Sequence, residues 1–189
     1  MSNEMKDWMA DKIEEERQIV EEYPFLRLRD IDGSIDTKSK FPMMYLEIPD
    51  GWYKLFFQMC ADIKPILEQE GVLDKFYFIQ VKEKYNELVC YSNGAASLEV
   101  EQILQKYKYL SRYVCTKCGR PAEYETRGYI ASYCNGCWKD RVRHEACDIL
   151  KFAPIYEVVG FKDGKGYSRS VNVEKEWNRY LKENGYDTV

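Results

Sequence analysis

Two Cys-x-x-Cys pairs, Cys115-Thr116-Lys117-Cys118 and Cys134-Asn135-Gly136-Cys137, stand fifteen residues apart, and no other feature limits the folds open to this chain as strongly. Two residues between thiolates let a tight turn present both sulfurs to one ion, and the separation falls in the range of four-thiolate zinc sites. Four thiolates fill the tetrahedral shell of one Zn2+ and leave no position for water, so the expected role is structural. Gly119 after the first pair and Gly136 inside the second are expected to supply the backbone angles such turns require. Between the pairs, residues 123–127 and 129–134 read as a hairpin, and the second pair opens a helix, the order of a treble-clef-like segment. Redox pairs would call for a thioredoxin-like βαβ setting, which neither pair has. His144 and Cys147 follow on the expected helix, but seven residues of helix cover about 10 Å, too far for the same ion.

The chain has 189 residues and seven cysteines. An odd count in a chain of this length favours metal in a reducing compartment over a disulfide framework. Cys60 and Cys90 sit in apolar runs and read as small buried hydrophobes. With 45% hydrophobic and 32% charged residues, the composition fits a folded protein with one sizeable core. No run approaches the roughly 18 apolar residues that span a bilayer, and the N-terminus is acidic where a secretory signal is basic and then apolar. A cytoplasmic location without membrane contact is the expectation.

Periodicity then places the elements. Residues 3–22 form a first helix, rich in Glu, Lys and Met and ending before Pro24. Residues 24–49 carry turn chemistry at Asp30-Ile31-Asp32-Gly33-Ser34 and read as an irregular arm or short edge strands. Asp50 is the expected N-cap of a helix over about 51–70, whose apolar residues recur at three and four, with Gly71 as its stop. The β-rich runs 76–82 and 88–91 make an antiparallel pair separated by the polar residues 83–87. Ser97 caps a helix to about Arg112 that leads directly into the first cysteine pair. After the second pair a basic helix is expected to run to about Leu150. Strands at 155–161 and 167–171, a turn at 163–166 and a helix over about 173–183 complete the chain.

The fold class that follows is α+β, with helices packed on small antiparallel sheets, a treble-clef-like zinc segment and a C-terminal hairpin-helix extension. Its expected divisions are an acidic N-terminal helix (1–23), an α+β core (24–112), the zinc segment (113–150) and the extension (151–189).

Charge is unevenly placed. Residues 1–22 carry eight acids against three bases, while residues 105–145 carry nine bases against four acids. Tyr107, Tyr109, Tyr113, Tyr124, Tyr129 and Tyr133 lie in or beside that basic stretch, a pattern suited to stacking and charge recognition as well as to ordinary packing. The candidate ligand surface comprises Arg27, Arg29, Lys82, Lys84, Arg112, Arg127 and Tyr129. Solvated charge flanking strands accounts for each of these equally well taken singly. A single histidine leaves few routes to acid/base or nucleophilic catalysis. The glycines of 160–166 miss the phosphate-loop pattern, residues 30–36 miss the calcium-loop pattern, and Glu123 with Glu125 reads as solvated charge. No catalytic residue is assigned.

Pro24-Phe25-Leu26-Arg27-Leu28-Arg29, Pro49-Asp50-Gly51-Trp52 leading into Met59-Cys60, Ile79-Gln80-Val81-Lys82-Glu83-Lys84-Tyr85, Tyr91-Ser92-Asn93-Gly94 and the two cysteine pairs together resemble a group of small bacterial and phage proteins with a C-terminal zinc knuckle pair and no established activity. The resemblance covers about residues 24–138. It implies the architecture and a phage or mobile-element origin, and it carries over no catalytic residue. The functional expectation is a non-enzymatic zinc protein that recognises an anionic partner, either a host defence protein or a nucleotide-type signal, in a counter-defence role. The alternatives are a sequence-tolerant nucleic-acid binder and a phosphate-ester hydrolase, the latter lacking any visible second metal.

Overall fold

The computed structural model describes residues 3–141, 146–162 and 165–186. The chain is mixed α+β, with five α-helices and three small sheets among the described residues. It divides into two compact units that interleave along the sequence: residues 1–47, 60–82 and 89–102 form the first, and residues 48–59, 83–88 and 103–189 the second.

Helix α1 (Asn3–Glu22) opens the first unit and is followed by a 3₁₀ turn, Pro24–Leu26. Proline at the start of that turn lacks the N–H that would otherwise go unpaired, and the turn delivers Phe25 and Leu26 into the core. Phe25, Phe76 and Phe78 pack edge to face with centroids 5.2–5.8 Å apart. Cys60, Ile63 and Leu67 from α2 (Tyr53–Gln69) are buried in the same unit, following the three-and-four spacing read in the sequence. Strand β1 (Leu46–Glu47) pairs with β2 (Phe78–Lys84), which pairs with β3 (Glu87–Ser92). The β1–β2 pairing is parallel, Leu46 opposite Val81, so this sheet is mixed where wholly antiparallel sheets were expected. The link from β1 to β2 runs through a helix, the crossover a parallel pair requires.

The β2–β3 connection is tighter than the sequence suggested. The strands reach Lys84 and resume at Glu87, leaving Tyr85 and Asn86 as a two-residue turn with φ of 54° and 62°. Positive φ at both central residues is the hairpin turn whose twist matches the strands, and asparagine is among the residues that adopt it readily.

In the second unit, α3 (Leu98–Ser111) enters from the first with the expected cap, the Val100 N–H donating to Ser97 Oγ at 3.3 Å. Then come β4 (Tyr124–Thr126), β5 (Ser132–Tyr133), α4 (Asn135–Arg141), β6 (Cys147–Ile149), the β7–β8 hairpin (Ile155–Lys162 and Lys165–Asn172) and α5 (Glu174–Glu183). The long basic helix expected to Leu150 is not formed. Helix α4 is described to Arg141, and Cys147-Asp148-Ile149 adds as a third strand, pairing antiparallel with β4, Asp148 opposite Glu125. Arg127 secures this edge by donating from Nε to both Asp148 oxygens, at 3.1 and 3.2 Å. His144 and the Asp163-Gly164 turn lie outside the described residues.

Asp50 is not the side-chain cap that its position suggested. It begins a 3₁₀ turn, Asp50–Trp52, that runs into α2, and the cap position of that turn is taken by Pro49.

Candidate metal centre and the adjoining cleft

The first cysteine pair forms a knuckle closed by its own backbone. Gly119 N–H donates to the Cys115 carbonyl at 3.0 Å, and Cys115 N–H to the Arg120 carbonyl at 2.8 Å. Gly119 has φ of 76°, so the expectation of unusual backbone there is met. Gly136 has no positive φ; it lies in the first turn of α4, where any residue fits. The hairpin β4–β5 returns the chain so that Cys134 ends it and Cys137 follows in α4. Cys137 N–H points at Cys134 Sγ, 3.5 Å away. Trp138, the next residue, stacks on Tyr124 of β4 at 4.6 Å and holds the helix against the sheet.

The four thiols converge. Cys115, Cys118, Cys134 and Cys137 have sulfurs that all lie within 4.8 Å of one another, and Cys118 and Cys134 are 3.6 Å apart. Sulfurs placed 2.3 Å from a central ion at tetrahedral angles are separated by about 3.8 Å. The donor set therefore fits one ion of zinc size and ligand preference, with all four positions filled by protein. Cys147 stands apart on β6, opposite Thr126.

The knuckle is clamped from the chain's distant parts. Gly51 N–H donates to the Thr116 carbonyl at 3.0 Å, and Trp52 Nε1 to the Val114 carbonyl at 3.1 Å. Tyr180 of α5 donates its hydroxyl to the Gly119 carbonyl at 2.6 Å. Burial pushes the Tyr180 phenol far above its ordinary range, so it stays a donor. A Cβ on Gly51 would sit 2.0 Å from the Cys115 carbonyl oxygen and 2.7 Å from Gly119 N. Only glycine lets these two backbones meet.

Thr116 and Lys117, the residues inside the first pair, also line a cleft of about 280 Å³ within the second unit. Asp50, Glu83, Asn86 and Tyr129 border it as well. Asn86 is fully buried; its Nδ2 donates to Glu125 Oε1 at 2.9 Å and to Ser132 Oγ at 2.7 Å, while its Oδ1 has no hydrogen-bond partner. Glu83 accepts from Asn86 N–H at 2.7 Å and from the Tyr129 hydroxyl at 3.0 Å. That carboxylate raises the Tyr129 phenol above its usual range and keeps it protonated.

The seven residues proposed from the sequence as a ligand surface are divided between the units. Arg27 pairs through its backbone with Met43, and Arg29 stacks on Tyr77 at 4.4 Å while donating to the Gly33 carbonyl at 2.8 Å. Lys82 lies over the Tyr91 ring. These three belong to the first unit. In the second, Lys84 lies over Tyr85, Arg112 approaches Glu125 at 3.7 Å, Arg127 pairs with Asp148, and Tyr129 borders the cleft. The residues that build the cleft and clamp the knuckle, Gly51, Glu83, Asn86 and Tyr180, were not assigned from the sequence. The one local hint was the Tyr85-Asn86 step between two β-rich runs.

No family model, curated protein or solved structure matches the chain. No helix among the described residues is long and apolar enough to cross a membrane.

Proposed function

We propose that this chain is a non-enzymatic binding protein held together by one structural zinc ion on Cys115, Cys118, Cys134 and Cys137, in treble-clef order: knuckle, hairpin, helix. The observation that carries the reading is the convergence of four thiols, which completes a tetrahedral shell without a position for water or substrate. Zinc so bound supplies folding free energy to a segment whose own strands have only two or three residues.

A protein is the favoured class of partner. The anionic partner, whether nucleotide signal or nucleic acid, rests on the basic stretch 105–145. Within it, Lys106, Lys108, Arg112 and Arg127 form ion pairs with Glu176, Glu87, Glu125 and Asp148. The phage origin and counter-defence role implied by the resemblance belong to this proposal, with a host protein as the target.

Native mass spectrometry with quantified metal tests the centre. One zinc per chain is expected, and Cys115→Ser should lose it and lower Tm. A variant that keeps both its zinc and its Tm would refute the site. Capture from a host lysate, with a zinc-stripped sample as control, tests the partner class.

A further inference from the structure

Hairpin β7–β8 forms a sheet of its own, with no third strand among the described residues. At its base the Val173 N–H donates to the Pro154 carbonyl at 2.8 Å, and that bond fixes the phase of the ladder. Antiparallel partners alternate between pairs that exchange backbone bonds and pairs that do not. Tyr156 with Val171 and Val158 with Arg169 are therefore the bonded pairs, while Ile155, Glu157 and Val159 turn their N–H and C=O groups away from β8. None of those groups is bonded outside the hairpin among the described residues. Tyr156, on the inner face, stacks on Tyr109 of α3 at 4.2 Å. The three outward residues are exposed, Ile155 at 55% and Val159 at 74%.

An open edge of this kind is a template for another strand, and natural proteins guard such edges with proline, lysine or a bulge, or cover them. Residues 155–159 contain neither proline nor lysine, and their one-to-one register with β8 leaves no bulge. The single charge along this stretch, Glu157, is drawn toward β8 by the Ser168 hydroxyl at 2.6 Å and by the Ser170 hydroxyl. The β7 edge thus keeps two exposed aliphatic side chains and offers no free charge with which to select an oppositely charged segment of another protein. Such an edge is complementary to itself.

We infer that β7 pairs antiparallel with β7 of a second copy, joining two hairpins into one four-stranded sheet about a twofold axis. Three or more strands are what a hairpin needs to stand in water. A register centred on Glu157 would set the two carboxylates directly opposite each other, which is destabilising. Centred on Val158, the pairing sets each Glu157 opposite Val159 of the second copy, and both of those pairs exchange backbone bonds through groups the hairpin leaves unused. Contact along about five residues covers less than a standard interface, so the expected Kd is on the order of 100 μM. The inference goes beyond the zinc reading and does not depend on it.

The test is sedimentation equilibrium of the zinc-loaded full chain from about 5 to 500 μM. The mass is expected to rise from that of one chain, 22.5 kDa, toward that of two, while the ¹⁵N-labelled amides of Glu157 and Val159 gain protection from exchange over the same range. Val159→Pro removes a donor that the hairpin itself does not use, and should weaken association at least about tenfold with Tm unchanged. Val159→Glu sets a carboxylate opposite Glu157 and should weaken it about three- to tenfold, whereas Val159→Lys sets an ammonium there and should tighten it about two- to fivefold. The opposite signs of these two substitutions decide the matter should proline disturb the hairpin. A mass of one chain throughout overturns the inference and leaves the edge to a strand of another protein. A dimer on which glutamate and lysine act alike, or which none of the three substitutions alters, overturns it as well.

Discussion

Three glycines show how differently one residue type is used around the four-cysteine cluster. Gly119 is required for its φ of 76°, and Gly51 for the space in which a Cβ would collide with the Cys115 carbonyl at 2.0 Å. A backbone atom cannot rotate aside, so Gly51→Ala must push α2's entry away from the knuckle. We expect it to cost about 3 kcal/mol and lower Tm by roughly 5–10 °C, with weaker zinc retention. Gly136, by contrast, has ordinary φ, and a Cβ there meets nothing within 4 Å. Gly136→Ala should be neutral or stabilise by up to about 1 kcal/mol through helix propensity. Thermal melts of both variants with metal titration check the pair; equal effects would contradict the geometry. In the sequence, Gly136 sits inside a cysteine pair and invites a structural role, while Gly51 follows the expected cap Asp50 and draws no notice. Local context ranks the two in the wrong order because the collision at Gly51 involves a partner far along the chain.

At the level of elements, the β2–β3 hairpin carries the sharpest departure from local rules. Tyr85 holds φ of 54°, a conformation costly for a bulky aromatic and easy for asparagine. Its ring is exposed, with Lys84 over it, and such a contact at the surface contributes little. Tyr85→Asn should therefore stabilise the chain by roughly 0.5–1 kcal/mol, and chemical denaturation with an unchanged m-value would check it. Asn86, next to it, is fully buried and bonded to β4 and β5, so the turn serves as an anchoring point as well as a reversal. Helices α1, α2, α3 and α5 and the cysteine hairpin were legible because amphipathic spacing, Ser97 and the Cys-x-x-Cys pairs are local signals. Strand β6 was not. Cys147-Asp148-Ile149 follows a basic helical run in sequence, and only the open edge of β4 and the Arg127–Asp148 pair make it a strand. The parallel pairing of β1 was hidden for the same reason, since a two-residue strand has no period to read.

For the whole molecule, the interleaving of two units along the chain makes the reach of the proposed zinc ion testable. Trp52, Trp138 and Trp177 belong to the second unit, which contains the four cysteines, and Trp8 to the first. Trp52 and Trp177 are buried, Trp138 is stacked on Tyr124, and Trp8 is largely exposed. Zinc removal by a strong chelator should shift tryptophan emission to the red, because three of the four rings lose apolar surroundings, and the change should reverse on adding zinc. Hydrogen exchange should accelerate first in the amides of β4, β5 and the knuckle. A spectrum that stays unchanged after chelation would overturn the proposed structural role of zinc in the second unit.

The amino-acid sequence by itself determined the grouping of the four cysteines, the extents of α1, α2, α3 and α5 and the mixed α+β class, since each depends on spacing within a few residues or one turn of helix. Tertiary structure alone decided what the knuckle rests on and what surrounds the cleft. Trp52 meets Val114 across 62 residues, and Asn86 meets Ser132 across 46. Such contacts leave no periodic trace, because the chain between them is free to vary while the contact stays fixed. The expected basic surface follows the same logic: charge can be counted from the sequence, but whether Arg127 faces solvent or Asp148 depends on which strand comes to lie beside it.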